Sequence, residues 1–226
     1  MERIYAAILH GVAANIMYQG FKSVQTLPIG EFMNAQYGGH FQYLTIQGLV
    51  LAALSMILGM VSGLFPWVTG LKSAKRYLMV VALPVSVVIS LIYWSLLALF
   101  PSLIIPPMNS TEPSTPSSSS TSPPLFYLPL TVDLSLHAVP AISLTLDFFF
   151  FERKYTKKEV HVIAPIAAAG FALWYGSWVE YCGKMNNGSF PYPFLTENPQ
   201  EIRIGIYIGA TVLSFFSFRF INSLHR

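Results

Sequence analysis

The sequence predicts an all-α, polytopic membrane helical bundle, with about six transmembrane helices and both termini in the cytoplasm. Three observations carry that reading. Hydrophobic residues make up 54% of the chain and charged residues only 10%, against roughly 25% charged in a soluble globular domain. Six apolar segments fall at about 4–26, 41–65, 78–100, 126–151, 160–182 and 202–221. Each is near or above the ~20 residues that carry a helix across a ~30 Å hydrocarbon core. Lysine and arginine, finally, are segregated between the connecting segments. The 226 residues leave room for one transmembrane domain, 1–226, and short connections.

The first span is the least apolar, since it holds His10, Asn15, Gln19 and Lys22. Its Met-Glu-Arg start imitates a signal peptide, but the apolar run continues to about Phe21 without a convincing cleavage site. The second span carries Thr45 and Gln47 near its start. The stretch 106–124 is rich in Ser, Thr and Pro and is expected to be a disordered lumenal loop, since it has almost nothing to bury. The fourth span holds Asp133, His137 and Asp147 and ends in four consecutive phenylalanines, Phe148 to Phe151, expected to pack at the lipid interface. Trp174, Trp178 and Glu180 belong to the fifth. None of the runs shows the dyad alternation of a membrane barrel.

Orientation follows from the basic residues. Ten of the thirteen lie on one side: Arg3; Lys72, Lys75 and Arg76; Arg153, Lys154, Lys157 and Lys158; Arg219 and Arg226. Only Lys22, Lys184 and Arg203 fall on the other. The two N-glycosylation acceptor patterns, at Asn109 and Asn187, both land on the side poor in positive charge, as lumenal or extracellular acceptors must. A net charge of +3 and the lack of a dense basic stripe call for no nucleic-acid partner. Cys182 stands alone, which excludes an intrachain disulfide and a cysteine-based metal site.

Ionisable residues inside a span cost roughly 2.5–3.5 kcal/mol at the helix centre, so those present need a reason. The candidates are His10, Asp133, His137, Asp147 and Glu180. Asp133 and His137 are four residues apart and share a helix face. A carboxylate there holds an imidazole in one tautomer and raises its basicity. Pro140 cannot donate to the carbonyl of Leu136, which predicts a kink beside the histidine. By residue type alone two readings stand for this pair: a polar cluster that joins helices, or a catalytic base. Thr45 has the same two, a hydroxyl bonded back to its own helix or a nucleophile served by His137. Counting residues puts His137 about 16 Å and Thr45 about 6 Å into the membrane, a mismatch that shrinks if the fourth span starts later than Phe126. His40 is expected to be interfacial, Glu180 to line or snorkel to the lumenal mouth, and His225 to sit at a mobile terminus.

Three blocks carry a resemblance. Tyr37-Gly38-Gly39-His40-Phe41-Gln42-Tyr43-Leu44-Thr45 resembles the "YGG…WKFLT" block of the androgen-induced and androgen-dependent TFPI-regulating membrane proteins. Asp133-Leu134-Ser135-Leu136-His137 is similar to that family's "NHxMH" span, with Asp147 at the place of an acidic residue ten positions on. Phe190-Pro191-Tyr192-Pro193-Phe194-Leu195 resembles its "WxYPFL" loop. The resemblance implies a multi-pass hydrolase that cleaves the ester of a fatty acid with a hydroxy fatty acid. Thr45 would be its nucleophile and His137 its base, with Asp133, Asp147 and Glu180 as supporting candidates and neither cofactor nor metal. The expected partners are a lipid ester and the membrane, in the endoplasmic reticulum or another endomembrane, the plasma membrane being the alternative. Ser135 and Asp133 depart from the family's block, and the Ser/Thr/Pro loop is an addition to it, as in a diverged, fungal-type member. Two rival classes remain: a proton-coupled transporter using His10, Asp133, His137 and Glu180 as a relay, and a non-catalytic membrane scaffold.

Overall fold

In hydrocarbon every backbone N–H and C=O must find its partner within the chain, and a continuous apolar run does so as a helix. The computed structural model describes residues 2–105 and 127–226, and among these no strand occurs. The Ser/Thr/Pro stretch and the acceptor Asn109 lie outside the described residues. The protein is an all-α membrane helical bundle.

Helix α1 (Glu2–Gln25) leads through a turn to the short α2 (Pro28–Ala35), which has proline in its first turn, where a missing N–H costs nothing. A 3₁₀ turn over Gly39–Gln42 leads into α3 (Leu44–Leu64). Helix α4 (Thr69–Leu99) is longer than the expected span at 78–100 and reaches about 46 Å at 1.5 Å per residue. Its first two turns therefore carry Lys72, Lys75 and Arg76, which the charge pattern alone had assigned to a loop. The fourth apolar segment is broken into α5 (Leu130–His137) and α6 (Val139–Phe151), bent by 43°. The break falls where Pro140 withholds its N–H from the Leu136 carbonyl. Proline has a second effect at the next segment: Pro165 cannot donate to the carbonyl of His161, and a π-turn over Glu159–Ile163 opens α7 (Ala164–Met185). The chain then runs through α8 (Pro193–Thr196) to α9 (Gln200–Leu224).

Among the described residues α3, α4, α9 and the segment 159–185 are each long and apolar enough to cross a membrane, and the bent α5–α6 pair adds a fifth crossing if taken as one. Helix α1 falls outside that set. It is 24 residues long, and the polar residues that weaken its apolar run include His10, which it turns into the bundle. Helix α3 packs between α1 and α4, with α5 and α6 closing one side and α7 and α9 flanking α4. Met17, Ala52, Met56, Met79, Leu83, Leu144 and Phe148 form the core of that packing. Phe148 is therefore core rather than interfacial, while Phe150, two residues on, is exposed. Leu173, Ile166, Phe216 and Phe220 of α7 and α9 point outward, as lipid-facing side chains do.

A polar network ties the end of the bundle that holds both termini. Lys75 is buried and contacts Asp147 Oδ2 at 2.7 Å and Glu152 Oε1 at 2.9 Å, while Arg76 donates to Glu159 at 2.7 and 2.8 Å. Asn222 of α9 accepts from the Tyr155 amide at 2.8 Å. His225 is held here as well, its Nε2 3.1 Å from the Phe148 carbonyl and 3.0 Å from that of Glu152, so the expectation of a mobile terminus is corrected for this residue.

Candidate functional site

At the opposite end, the turn before α3 decides where Thr45 points. Gly38 has φ +87°, and a Cβ there would sit 2.5 Å from Cys182 Sγ, so both backbone conformation and space require glycine. Helix α7 then clamps the turn. Asn186 bonds the Tyr37 backbone on both sides, accepting at 2.7 Å and donating at 3.1 Å. Trp178 Nε1 donates to the Phe41 carbonyl at 3.0 Å and Tyr175 to the Gln42 carbonyl at 3.3 Å. His40 is carried inward by the same turn, 5% exposed against Phe21 rather than at the interface. Burial lowers its pKa, and neither ring nitrogen has a hydrogen-bond partner among the described residues.

Thr45 is the second residue of α3 and is 9% exposed. A membrane threonine ordinarily bonds to a carbonyl about one turn earlier. Here the Phe41 carbonyl already accepts from Gln47 Nε2 at 2.8 Å as well as from Trp178. The Thr45 hydroxyl lies instead 3.4 Å from His137 Nε2. Across the ring, His137 Nδ1 is 2.7 Å from Asp133 Oδ1 and 3.2 Å from the Asp133 carbonyl. Two acceptors at Nδ1 place the proton there, which leaves Nε2 free to accept from the threonine. The ring of Tyr93 stacks on the imidazole, with centroids 3.4 Å apart and planes 5° from parallel. Both His137 and Asp133 are 6% exposed, so the chain Asp133–His137–Thr45 is shielded from bulk water.

The depth mismatch closes for a local reason. Helix α5 starts at Leu130, not Phe126, so His137 lies about 10 Å along it. The break before Val139 leaves α5 as a half-helix at the same end as the start of α3. Ser135, where the resembling block has its first histidine, spends its hydroxyl on the Val132 carbonyl at 2.6 Å and is buried against Gly20 of α1.

Two cavities meet at Thr45. The larger, about 370 Å³, runs between α4, α7 and α9 and is lined mainly by apolar side chains such as Val85, Val88, Phe171, Ala172 and Ala210. The smaller, about 90 Å³, is bounded by Ile29 and Met33 of α2 together with Leu128, Leu136 and His137. Thr45, Tyr93, Ile104 and Tyr192 border both. An elongated apolar ligand lying through the two would pass the threonine hydroxyl.

Asp147 and Glu180 are not brought to this point. Asp147 lies ten residues beyond His137, about 15 Å along the segment. It binds His10 Nε2 at 2.7 Å and Lys75 Nζ at 2.9 Å. The His10 ring lies over Gly59, where a Cβ would meet it at 2.5 Å. Glu180 pairs with Arg203 at 2.6 and 2.7 Å and accepts from the Tyr207 hydroxyl at 2.8 Å, bridging α7 and α9. The four groups of the transporter relay thus fall into three separate clusters. Asn187 stands exposed in the turn after α7, with φ +56°. No group of three or more His, Cys, Asp or Glu among the described residues converges as metal ligands do. Sequence reasoning missed Tyr93 and the placement of Tyr192. Nothing in their spacing marks Tyr93, whereas Tyr192 belongs to a block that had drawn notice for its resemblance alone.

Residues 5–226 match the model of a family described as FAR-17a/AIG1-like protein. The chain belongs to that family. A UPF0641 membrane protein of Schizosaccharomyces pombe is 28% identical over 226 residues, covering 99% of this chain and 92% of that one. No solved structure matches the chain. The family match takes in all the elements that build the Thr45 site, from the turn before α3 to the loop that carries Tyr192.

Proposed function

We propose that this FAR-17a/AIG1-like protein is an intramembrane lipid-ester hydrolase with Thr45 as nucleophile and His137 as base. The observation that carries the proposal is a hydroxyl, an imidazole and a carboxylate in one hydrogen-bonded line, buried where two apolar cavities join. The 3.4 Å between Thr45 Oγ1 and His137 Nε2 is longer than the roughly 2.6–3.2 Å of a working nucleophile–base bond, as is common before substrate is bound.

In the proposed reaction His137 Nε2 takes the Thr45 proton as Oγ1 bonds to the ester carbonyl carbon. Asp133 holds Nδ1–H and stabilises the imidazolium that forms. When the tetrahedral adduct collapses, the hydroxy-lipid oxygen leaves with the proton from His137. Water, deprotonated by the same imidazole, then frees the fatty acid from Thr45. The larger cavity lies within the 300–1,000 Å³ usual for small-molecule sites and is apolar, which suits an acyl chain. The sequence resemblance directs the choice of substrate to esters of fatty acids with hydroxy fatty acids. An endomembrane location, with the site near the lumenal face and Asn187 as a glycosylation acceptor, goes with the charge bias.

Labelling by a fluorophosphonate probe tests the assignment. Thr45→Ala and His137→Ala should each abolish labelling while expression and folding are retained. If both variants still label, the pair is not the catalytic centre.

A further inference from the structure

An ester hydrolase must hold the negative charge that develops on the carbonyl oxygen, usually with fixed hydrogen-bond donors, and this is commonly the largest single contribution to catalysis. The Thr45–His137–Asp133 line supplies none for that atom. Beside Thr45, its own amide and the Tyr192 hydroxyl are 3.5 Å apart. Tyr192 comes from the loop between α7 and α8, borders both cavities alongside Thr45, and is the one phenol bonded to the Thr45 backbone among the described residues.

Resting on the hydrolase reading, we propose that Tyr192 is a further catalytic residue, its hydroxyl donating, together with the Thr45 N–H, to the oxyanion. The geometry permits it. Two donors 3.5 Å apart can both lie within the roughly 2.7–3.1 Å that an oxyanion requires, the oxygen forming the apex of a triangle above them. Neither donor is tied to a strong acceptor: the one bond between them is long. Thr45 is in the first turn of α3, where amides have no intrahelical acceptor, and its bond to Tyr192 is long. The Tyr192 hydroxyl accepts in that bond, which leaves its own proton available to a third group. Burial raises the Tyr192 pKa, so the group keeps its proton at neutral pH and acts as a donor.

Its position is fixed by packing. The ring stacks on Phe194, with centroids 5.3 Å apart and planes at 8°, and meets the edge of Tyr43 at 5.6 Å. Tyr43 immediately precedes α3, so the loop and the nucleophile are held to one another by an aromatic contact. The step balances without transfer from the tyrosine. The Thr45 Oγ1–carbon bond forms, the carbonyl π pair moves to oxygen, and the threonine proton goes to His137. Tyr192 and the amide contribute hydrogen bonds only, which are released when the carbonyl re-forms and the hydroxy lipid departs with the proton from His137.

The test is Tyr192→Phe, which keeps the ring and its stacking. Loss of one such donor lowers kcat on the order of 10²–10³-fold, with KM within about threefold and the thermal midpoint in detergent unchanged. A long-chain trifluoromethyl ketone, which forms an oxyanion on Thr45, should bind more weakly by the same factor, while the unreactive amide analogue of the ester should bind as before. A structural role would weaken both ligands together. Wild-type kcat in Tyr192→Phe, with Thr45→Ala inactive, overturns the oxyanion role and leaves the hydrolase reading standing. Activity retained in Thr45→Ala overturns both. Should Tyr192→Phe fold poorly, 3,5-difluorotyrosine at position 192 serves instead. Its more acidic phenol should draw the alkaline limb of the kcat profile to lower pH, and an unmoved limb counts against the proposal.

Discussion

Replacing Asp133 by asparagine separates charge from geometry at the candidate base. The carboxylate lies 2.7 Å from His137 Nδ1, and both side chains are buried. During attack on the ester the imidazole becomes a cation, so this bond changes from a neutral donor on a carboxylate to an ion pair in the transition state. Net values are about 0.5–1.5 kcal/mol for a neutral hydrogen bond and 1.5–3 for one to a charged group. An amide oxygen in place of the carboxylate therefore forfeits about 1–2 kcal/mol, or roughly 5–30-fold in kcat. A larger loss, on the order of 10⁴, follows when such a substitution forces the wrong tautomer. The Asp133 backbone carbonyl, 3.2 Å from the same Nδ1, guards against that. His137→Ala removes the base altogether and should leave no measurable turnover. The assay is kcat for a chromogenic long-chain ester in detergent micelles, checked against the rate of fluorophosphonate labelling. A loss in Asp133→Asn as deep as that of His137→Ala would refute the reasoning and make Asp133 indispensable; wild-type kcat would show that its charge plays no part.

Three further outcomes follow from the same structure. Asp147→Ala leaves buried Lys75 without its closest partner, and breaking a buried pair in this way typically costs 3–5 kcal/mol. The thermal midpoint should fall and Lys75→Met should restore part of it, with activity per folded molecule preserved; an unchanged midpoint would mean that the pair is dispensable. Ala172→Phe intrudes on the larger cavity and should displace two or three methylenes of a long acyl chain. At about 0.8 kcal/mol each, KM for a long-chain ester should rise by about 10–50-fold and that for a short-chain ester hardly at all; equal effects on both would argue against acyl binding there. His40 has a lowered pKa in the folded state, so below its ordinary value of about 6.5 the unfolded chain binds the extra proton. Stability from this group is complete above pH 6.5 and declines as pH falls below it, and His40→Phe should flatten that decline in thermal scans; identical pH profiles would remove His40 as its source.

Much of the architecture was legible because a bilayer imposes few solutions. Apolar runs of about 20 residues had to be helices, and Pro140 had to interrupt the fourth. What escaped the pattern was where polar ends stop. Lys75 and Phe148 were misplaced because hydropathy marks the membrane boundary but not which face of a helix turns to a neighbour. Asp147 was grouped with His137 on the family resemblance, yet ten residues of helix carry it toward the other end of the bundle, to His10 and Lys75.

By itself the sequence determined that the chain is membrane-embedded and helical, since both follow from composition and continuous hydrophobicity. The i, i+4 spacing likewise made Asp133 and His137 neighbours on one helix, because the helical repeat is local. Only the tertiary structure decided that Thr45, 92 residues from His137, faces that imidazole, and that Tyr93 and Tyr192 close around them. Those contacts depend on how α3, α4, α5 and the loop after α7 pack together, and local chain geometry holds no record of that packing.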